Sequence, residues 1–120
     1  MRILQHAFRI YVDTDALDAT IAFYEQAQGM TCERRVTIAE TGVEAAKVGG
    51  VLILSGSPEQ LAPVRHVDAI FYVDSLDAFV PWLRDNGAEI LAGPRAVTVG
   101  RNLTARNPDG LVVEYFEAIR

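Results

Sequence analysis

Cysteine is almost missing from this sequence. Cys32 stands alone among 120 residues, and a single thiol cannot close an internal bridge, so stability has to come from a packed core. A nucleophilic triad lacks material as well. Cys32 has only Arg34 and Arg35 as basic neighbours, and the two histidines, His6 and His66, sit at the starts of strand-like runs. No apolar run approaches the ~20 residues of a membrane span. Met1-Arg2-Ile3-Leu4-Gln5-His6 lacks the layout of an export signal, so a cytoplasmic protein is expected. Lys and Arg are scattered instead of clustered, which argues against a nucleic-acid partner. Glycine-rich phosphate loops are absent too, because Val48-Gly49-Gly50 lies between two strand candidates and not ahead of a helix.

What remains is an ordinary globular composition, 50% apolar, with room for one core. The net charge of -5 is mild and favours a cationic or neutral ligand over an anionic one.

The chain reads as two similar halves. Residues 7–13 (AFRIYVD) and 68–74 (DAIFYVD) are strand-like runs ending in Tyr-Val-Asp. Leu17, Ile21, Tyr24 and Gln28 then fall at helical spacing, with Asp15 as N-cap and Gly29 as stop. In the second half Leu76, Phe79, Val80 and Leu83 do the same, between Ser75 as cap and Gly87 as stop. Pro81 predicts a late start near Asp77, which would put proline in the first turn. Three strand candidates follow each helix: 31–38, 43–48 and 50–55, then 88–92, 97–106 and 111–117. Matching Gly50 with Gly110 makes Leu54 and Glu114 equivalent. Residues 57–65, with Pro58 and Pro63, read as a linker between a module of about 1–56 and one of about 66–120 within a single domain.

Three stretches in order carry a resemblance. They are the first strand and helix through Ala22-Phe23-Tyr24, the run YVDSLDAF with Asn86-Gly87-Ala88-Glu89, and Asn107-Pro108-Asp109-Gly110 leading into Val113-Glu114-Tyr115-Phe116-Glu117. Together they resemble the glyoxalase, bleomycin-resistance and extradiol-dioxygenase superfamily, the vicinal oxygen chelate proteins, along essentially the whole chain. The resemblance implies an α+β fold. Two βαβββ modules would form a curved eight-stranded saddle around a cavity, with helices on the convex side and a homodimer partner.

It also implies where a metal would sit, on the first and fourth strands of each module. The Tyr-Val-Asp register carries those positions onto Ala7, Leu54, Asp68 and Glu114, of which only the last two offer oxygen. A count from Asp13 substitutes His6 and gives an alternative set of His6, Asp68 and Glu114 for Fe, Mn, Ni or Zn, with His66 two residues before Asp68. The bland readings are a surface or interface role for His6, a solvated His66 and a strand-starting Asp68. Glu114 interrupts an apolar run, so it needs a donor or cation, for which Arg9 is the candidate.

Without a metal, the cavity face would present Arg9, Tyr11, Leu54, Asp68, Ile70, Tyr72, Glu114 and Phe116, a lining suited to a flat, largely apolar molecule. The expected function is a small-molecule binding protein of the bleomycin-resistance kind, sequestering a natural product with neither cofactor nor catalytic residue. The competing expectation is a metal-dependent lyase, isomerase or dioxygenase. Trp82 lies off the main stripe of its helix, and the inward face of strand 97–106 stays open.

Overall fold

The computed structural model describes residues 1–119. It has the expected α+β class, with eight strands in the order β2-β3-β4-β1-β5-β8-β7-β6. The strands divide between two compact units, Ala7–His66 and Met1–His6 joined to the residues from Val67 onward. Strand β1 (Ile3–Val12) gives its first residues to one unit and the rest to the other. Among the described residues no helix is long and apolar enough to cross a membrane.

In the unit Ala7–His66, β1 runs parallel to β4 (Val51–Ser55), pairing Arg9 with Leu52 and Tyr11 with Leu54. Strands β3 (Glu44–Val48) and β2 (Arg34–Thr37) add on antiparallel. Alternation then sorts the side chains. Ala46, Val48, Val51 and Ile53 are buried with Leu17 and Ile21 of helix α1 (Leu17–Gln28). The opposite parity sends Leu54 and Ala45 into a second cluster with Val43 and Leu61, against which Tyr11 and Leu52 pack.

Helix α1 stops as read, at Gly29 in the left-handed region (φ 65°). Its start differs, because Thr14–Ala16 form a 3-10 turn and no side chain, Asp15 included, caps the helix. A larger difference lies in residues 57–65, which hold a one-turn helix, α2 (Pro58–Leu61). Ser57 and Gln60 make a reciprocal capping box there, and Leu61 is fully buried. Gln60 also donates to the Thr41 carbonyl at 3.2 Å. A Cβ at Gly42 or at Gly56 would come within 2.9 Å of the Gln60 amide group.

The other unit repeats the plan. Strand β5 (Ala69–Val73) runs parallel to β8 (Val112–Ala118), and β7 (Gly100–Arg106) lies between β8 and β6 (Glu89–Val97). Strand β6 extends well beyond the expected 88–92. Helix α3 (Leu76–Asp85) is capped by Ser75, whose hydroxyl accepts from the Ala78 amide at 3.2 Å.

Helix α3 begins at Leu76, so Pro81 is its sixth residue and lies inside it, not in the first turn. The burial of Leu76, Phe79 and Leu83 against Leu103, Ala105, Val113 and Tyr115 explains the tolerance. Each such side chain contributes about 1.5–3 kcal/mol, and together they exceed the ~3 kcal/mol that an internal proline costs. The Pro-Asp-Gly turn is held by Asn107, whose amide donates to the Leu111 carbonyl at 2.8 Å and whose side chain accepts from the Tyr115 hydroxyl at 2.7 Å.

Candidate functional site

In the unit Ala7–His66, Tyr11 is fixed at both ends of its hydroxyl. It accepts from Arg9 Nε at 2.9 Å and donates to the Val64 carbonyl at 2.7 Å. The guanidinium carbons of Arg9 and Arg65 stand 5.6 and 5.8 Å from its ring centroid, within cation-π range. Lys47, paired with Leu52, is buried; its ammonium donates to the Gly49 carbonyl at 2.8 Å and lies 3.5 Å from Glu33. Leu54 is 3% exposed in the α2 cluster and is a packing residue. His66 is exposed.

In the other unit, the alternation Val112, Glu114, Phe116 lies opposite in parity to Val113 and Tyr115, which pack with α3. Ile70 pairs with Glu114 and Tyr72 with Phe116, and the last two rings meet edge to face at 5.8 Å. Glu114 is half-buried and accepts from Asn102 Nδ2 at 2.9 Å. Strand β7 therefore resolves its undecided face. Leu103 and Ala105 are buried with α3, while Asn102 and Thr104 pair with Phe116 and Glu114 on the opposite face. Arg101 reaches Asp77 of α3 at 2.9 Å, and this hydrogen-bonded pairing lowers the Asp77 pKa from its ordinary value.

Asp68 closes a strand end. Its amide donates to the Val112 carbonyl at 2.8 Å, and its carboxylate accepts from the Val112 amide at 3.0 Å. His6 presents its ring to Phe71, 6.0 Å away. Phe71 packs with the α3 cluster, so His6 belongs to the helix side of its unit and Glu114 to the other. The alternative metal set does not fit these residues. Among the described residues no three His, Cys, Asp or Glu side chains come together in a way that could hold an ion.

The equivalence of Leu54 with Glu114 needs correction. With Tyr11 matched to Tyr72, the partner of Arg9 is Leu52 and the partner of Ile70 is Glu114. The helix-side cores agree, since Val51 and Ile53 play the part of Val113 and Tyr115. Counting from the glycines fails because Val48 and Val51 face each other across a two-residue turn, whereas Arg106 and Val112 are joined by five residues. An apolar side chain still stands where the second unit has Glu114; that residue is Leu52.

Two residues of these groups escaped the sequence reading. Asn102 was signalled by its alternation with buried Leu103, whereas no local pattern signalled Arg65, whose contact with Tyr11 is long-range.

The whole structure resembles that of an uncharacterised protein from Methanosarcina mazei, with 44% identity over 99% of this chain and 95% of the other and a TM-score of 0.87. It also resembles a variant of Streptomyces coelicolor methylmalonyl-CoA epimerase in complex with 2-nitronate-propionyl-CoA, at 23% identity over 98% and 99% of the two chains and a TM-score of 0.66. The Mycobacterium tuberculosis methylmalonyl-CoA epimerase gives 18% identity, 98% and 90% coverage and a TM-score of 0.67. At these identities the two epimerases speak for the fold alone. No match was found among curated proteins. Residues 4–115 match the Glyoxalase/Bleomycin resistance protein/Dioxygenase superfamily, and the chain belongs to that superfamily.

Proposed function

We propose that this protein binds a largely apolar or aromatic small molecule without a metal and releases it unchanged, sequestering a natural product as bleomycin-resistance proteins do. One observation carries the reading. The parallel pairs Arg9–Leu52 and Ile70–Glu114 put a leucine in one unit at the place of the other unit's carboxylate. A hydrocarbon side chain has no lone pair to give an ion. The aromatic pair Tyr72–Phe116 beside Glu114 and Asn102 supplies stacking surface with a polar anchor. The exposed apolar residues Ile3, Leu4 and Phe8 of β1 support a homodimer.

Protection by such a protein would come from mass action alone and scale with its concentration relative to ligand. The test is elemental analysis of protein purified without chelators, followed by titration with Mn, Fe, Ni and Zn, and recovery of bound small molecules from the native host. The expected result is substoichiometric metal and a ligand of unchanged mass. Near-stoichiometric metal with a converted ligand would overturn the reading in favour of a metal-dependent lyase or isomerase.

A further inference from the structure

Strands β5 and β8 carry an aromatic pair on each face of their sheet. Tyr72 meets Phe116 on the face that holds Glu114, and one residue earlier on each strand Phe71 meets Tyr115 edge to face at 5.4 Å. Alternation assigns the earlier pair to the side of α3, whose core includes Tyr115. The helix covers these rings incompletely. Phe79 tilts over Tyr115 at 5.6 Å and meets Trp82 at 6.1 Å, yet Trp82 is 44% exposed and Phe71 is only half-buried. A groove of about 380 Å³ is lined by Phe71, Phe79, Trp82 and Tyr115 together with the Asn107-Pro108-Asp109 turn. That volume lies in the range of small-molecule sites and admits one or two fused rings.

The polar groups of the groove narrow the class of guest. Asn107 Oδ1 accepts from the Tyr115 hydroxyl at 2.7 Å, and the pKa of that phenol is raised, chiefly by burial, so it keeps its proton and its role as donor. One end of the Asn107 amide is thereby engaged. Its Nδ2 has no partner among the described residues and remains a donor for an incoming oxygen. Asp109 is the single charged side chain among the described residues of the lining, and a carboxylate there disfavours anions. We propose that this groove is a second small-molecule site, on the helix side of its unit, for an uncharged aromatic compound of one or two rings whose carbonyl accepts from Asn107. It is separate from the Tyr72–Phe116 face, and neither site requires the other.

The test is a residue-resolved NMR titration of the nitrogen-labelled full chain with indole-3-carboxamide and, for comparison, indole-3-carboxylate. Trp82 is the only tryptophan, so its indole N–H gives one unambiguous signal for the groove, while the Asn102 side-chain amide reports the opposite face. The carboxamide should shift the Trp82 indole and the Asn107 side-chain amide together, half-saturating at about 1 mM or below, as a ligand of about a dozen heavy atoms does. The carboxylate should bind about two- to fivefold more weakly, the weight of an exposed charge pair. Asp109→Asn keeps the oxygen that accepts from the Leu111 amide at 3.0 Å and should narrow that gap. Trp82→Leu, read on the Asn107 amide, should weaken the carboxamide about fivefold, with the Asn102 signal unmoved as the check that the sheet is intact.

Shifts at Asn102 with Trp82 and Asn107 unmoved would place the ring on the opposite face and overturn the groove site, leaving the metal-free reading in place. Trp82 signals that move with protein concentration alone would give the groove to a second copy of the chain and overturn it likewise. Full affinity retained by Trp82→Leu, or no shift at the limit of probe solubility, would also overturn it.

Discussion

The two units share a topology and differ in what they do with the face that turns away from their long helix. In Ala7–His66 that face is packed, with Leu54 and Ala45 meeting Leu61 of α2. In the other unit the corresponding parity carries Glu114, Asn102, Thr104 and Tyr72. A repeated backbone plan thus fixes strand pairing and helix placement, while single exchanges such as Leu52 for Glu114 decide whether a given position on that face carries hydrocarbon or a carboxylate. Buried polar groups need partners, and Glu114 has one in Asn102.

The largest effect should come from emptying the packed face. Leu61→Ala is expected to destabilise the protein by about 2–5 kcal/mol in urea unfolding, as a large-to-small change in a core does. A loss below about 1 kcal/mol would show that α2 is a mere cover, and the contrast between the units would collapse.

Next come the helix starts, where the two units again differ. Ser75→Ala removes the hydroxyl that caps α3 and should cost about 1 kcal/mol, whereas Asp15→Ala, ahead of an α1 with no side-chain cap, should change thermal stability by only a few tenths. Equal costs would mean that the asymmetry in capping has no energetic weight. Asn102→Ala, which takes a donor from Glu114, should cost about 1 kcal/mol. Its mark should be larger on ligand affinity than on the unfolding midpoint.

The smallest effect is in acid. Asp77 has its pKa lowered by the hydrogen bond and charge of Arg101. A depressed carboxylate stabilises the folded form above its ordinary unfolded pKa of about 4, and that contribution is lost as pH falls through the folded value. Thermal stability should therefore decline a little below about pH 4, and Asp77→Asn should flatten that limb. A variant with an unaltered acid limb would rule the Asp77–Arg101 pair out as a contributor.

Much of the fold was legible because period and punctuation agreed. The stripe Leu76, Phe79, Leu83 is buried as its spacing requires, and Gly29 and Ser75 end and start their helices as their chemistry dictates. Helix α2 was hidden because Pro58 and Pro63 read as linker signals, although Ser57 and Gln60 had capping-box spacing around a proline suited to a first turn. The strand parity of Glu114 was readable from its neighbours Val113 and Tyr115. Its counterpart was not, because the hairpin loops differ in length and a count from glycine inherits that difference. Arg65 was out of reach, since its meeting with Tyr11 depends on a turn that brings together residues 54 positions apart, from the sequence numbers of the contact.

Gln60 has little freedom of its own. Its amide closes the capping box and holds the Thr41 carbonyl, and it lies where a side chain at position 42 or 56 would have to go. Three positions scattered over the first half of the chain therefore form one evolutionary unit. Homologues that keep glutamine at 60 should keep glycine at 42 and 56, and those that give up one should be found to have given up the others.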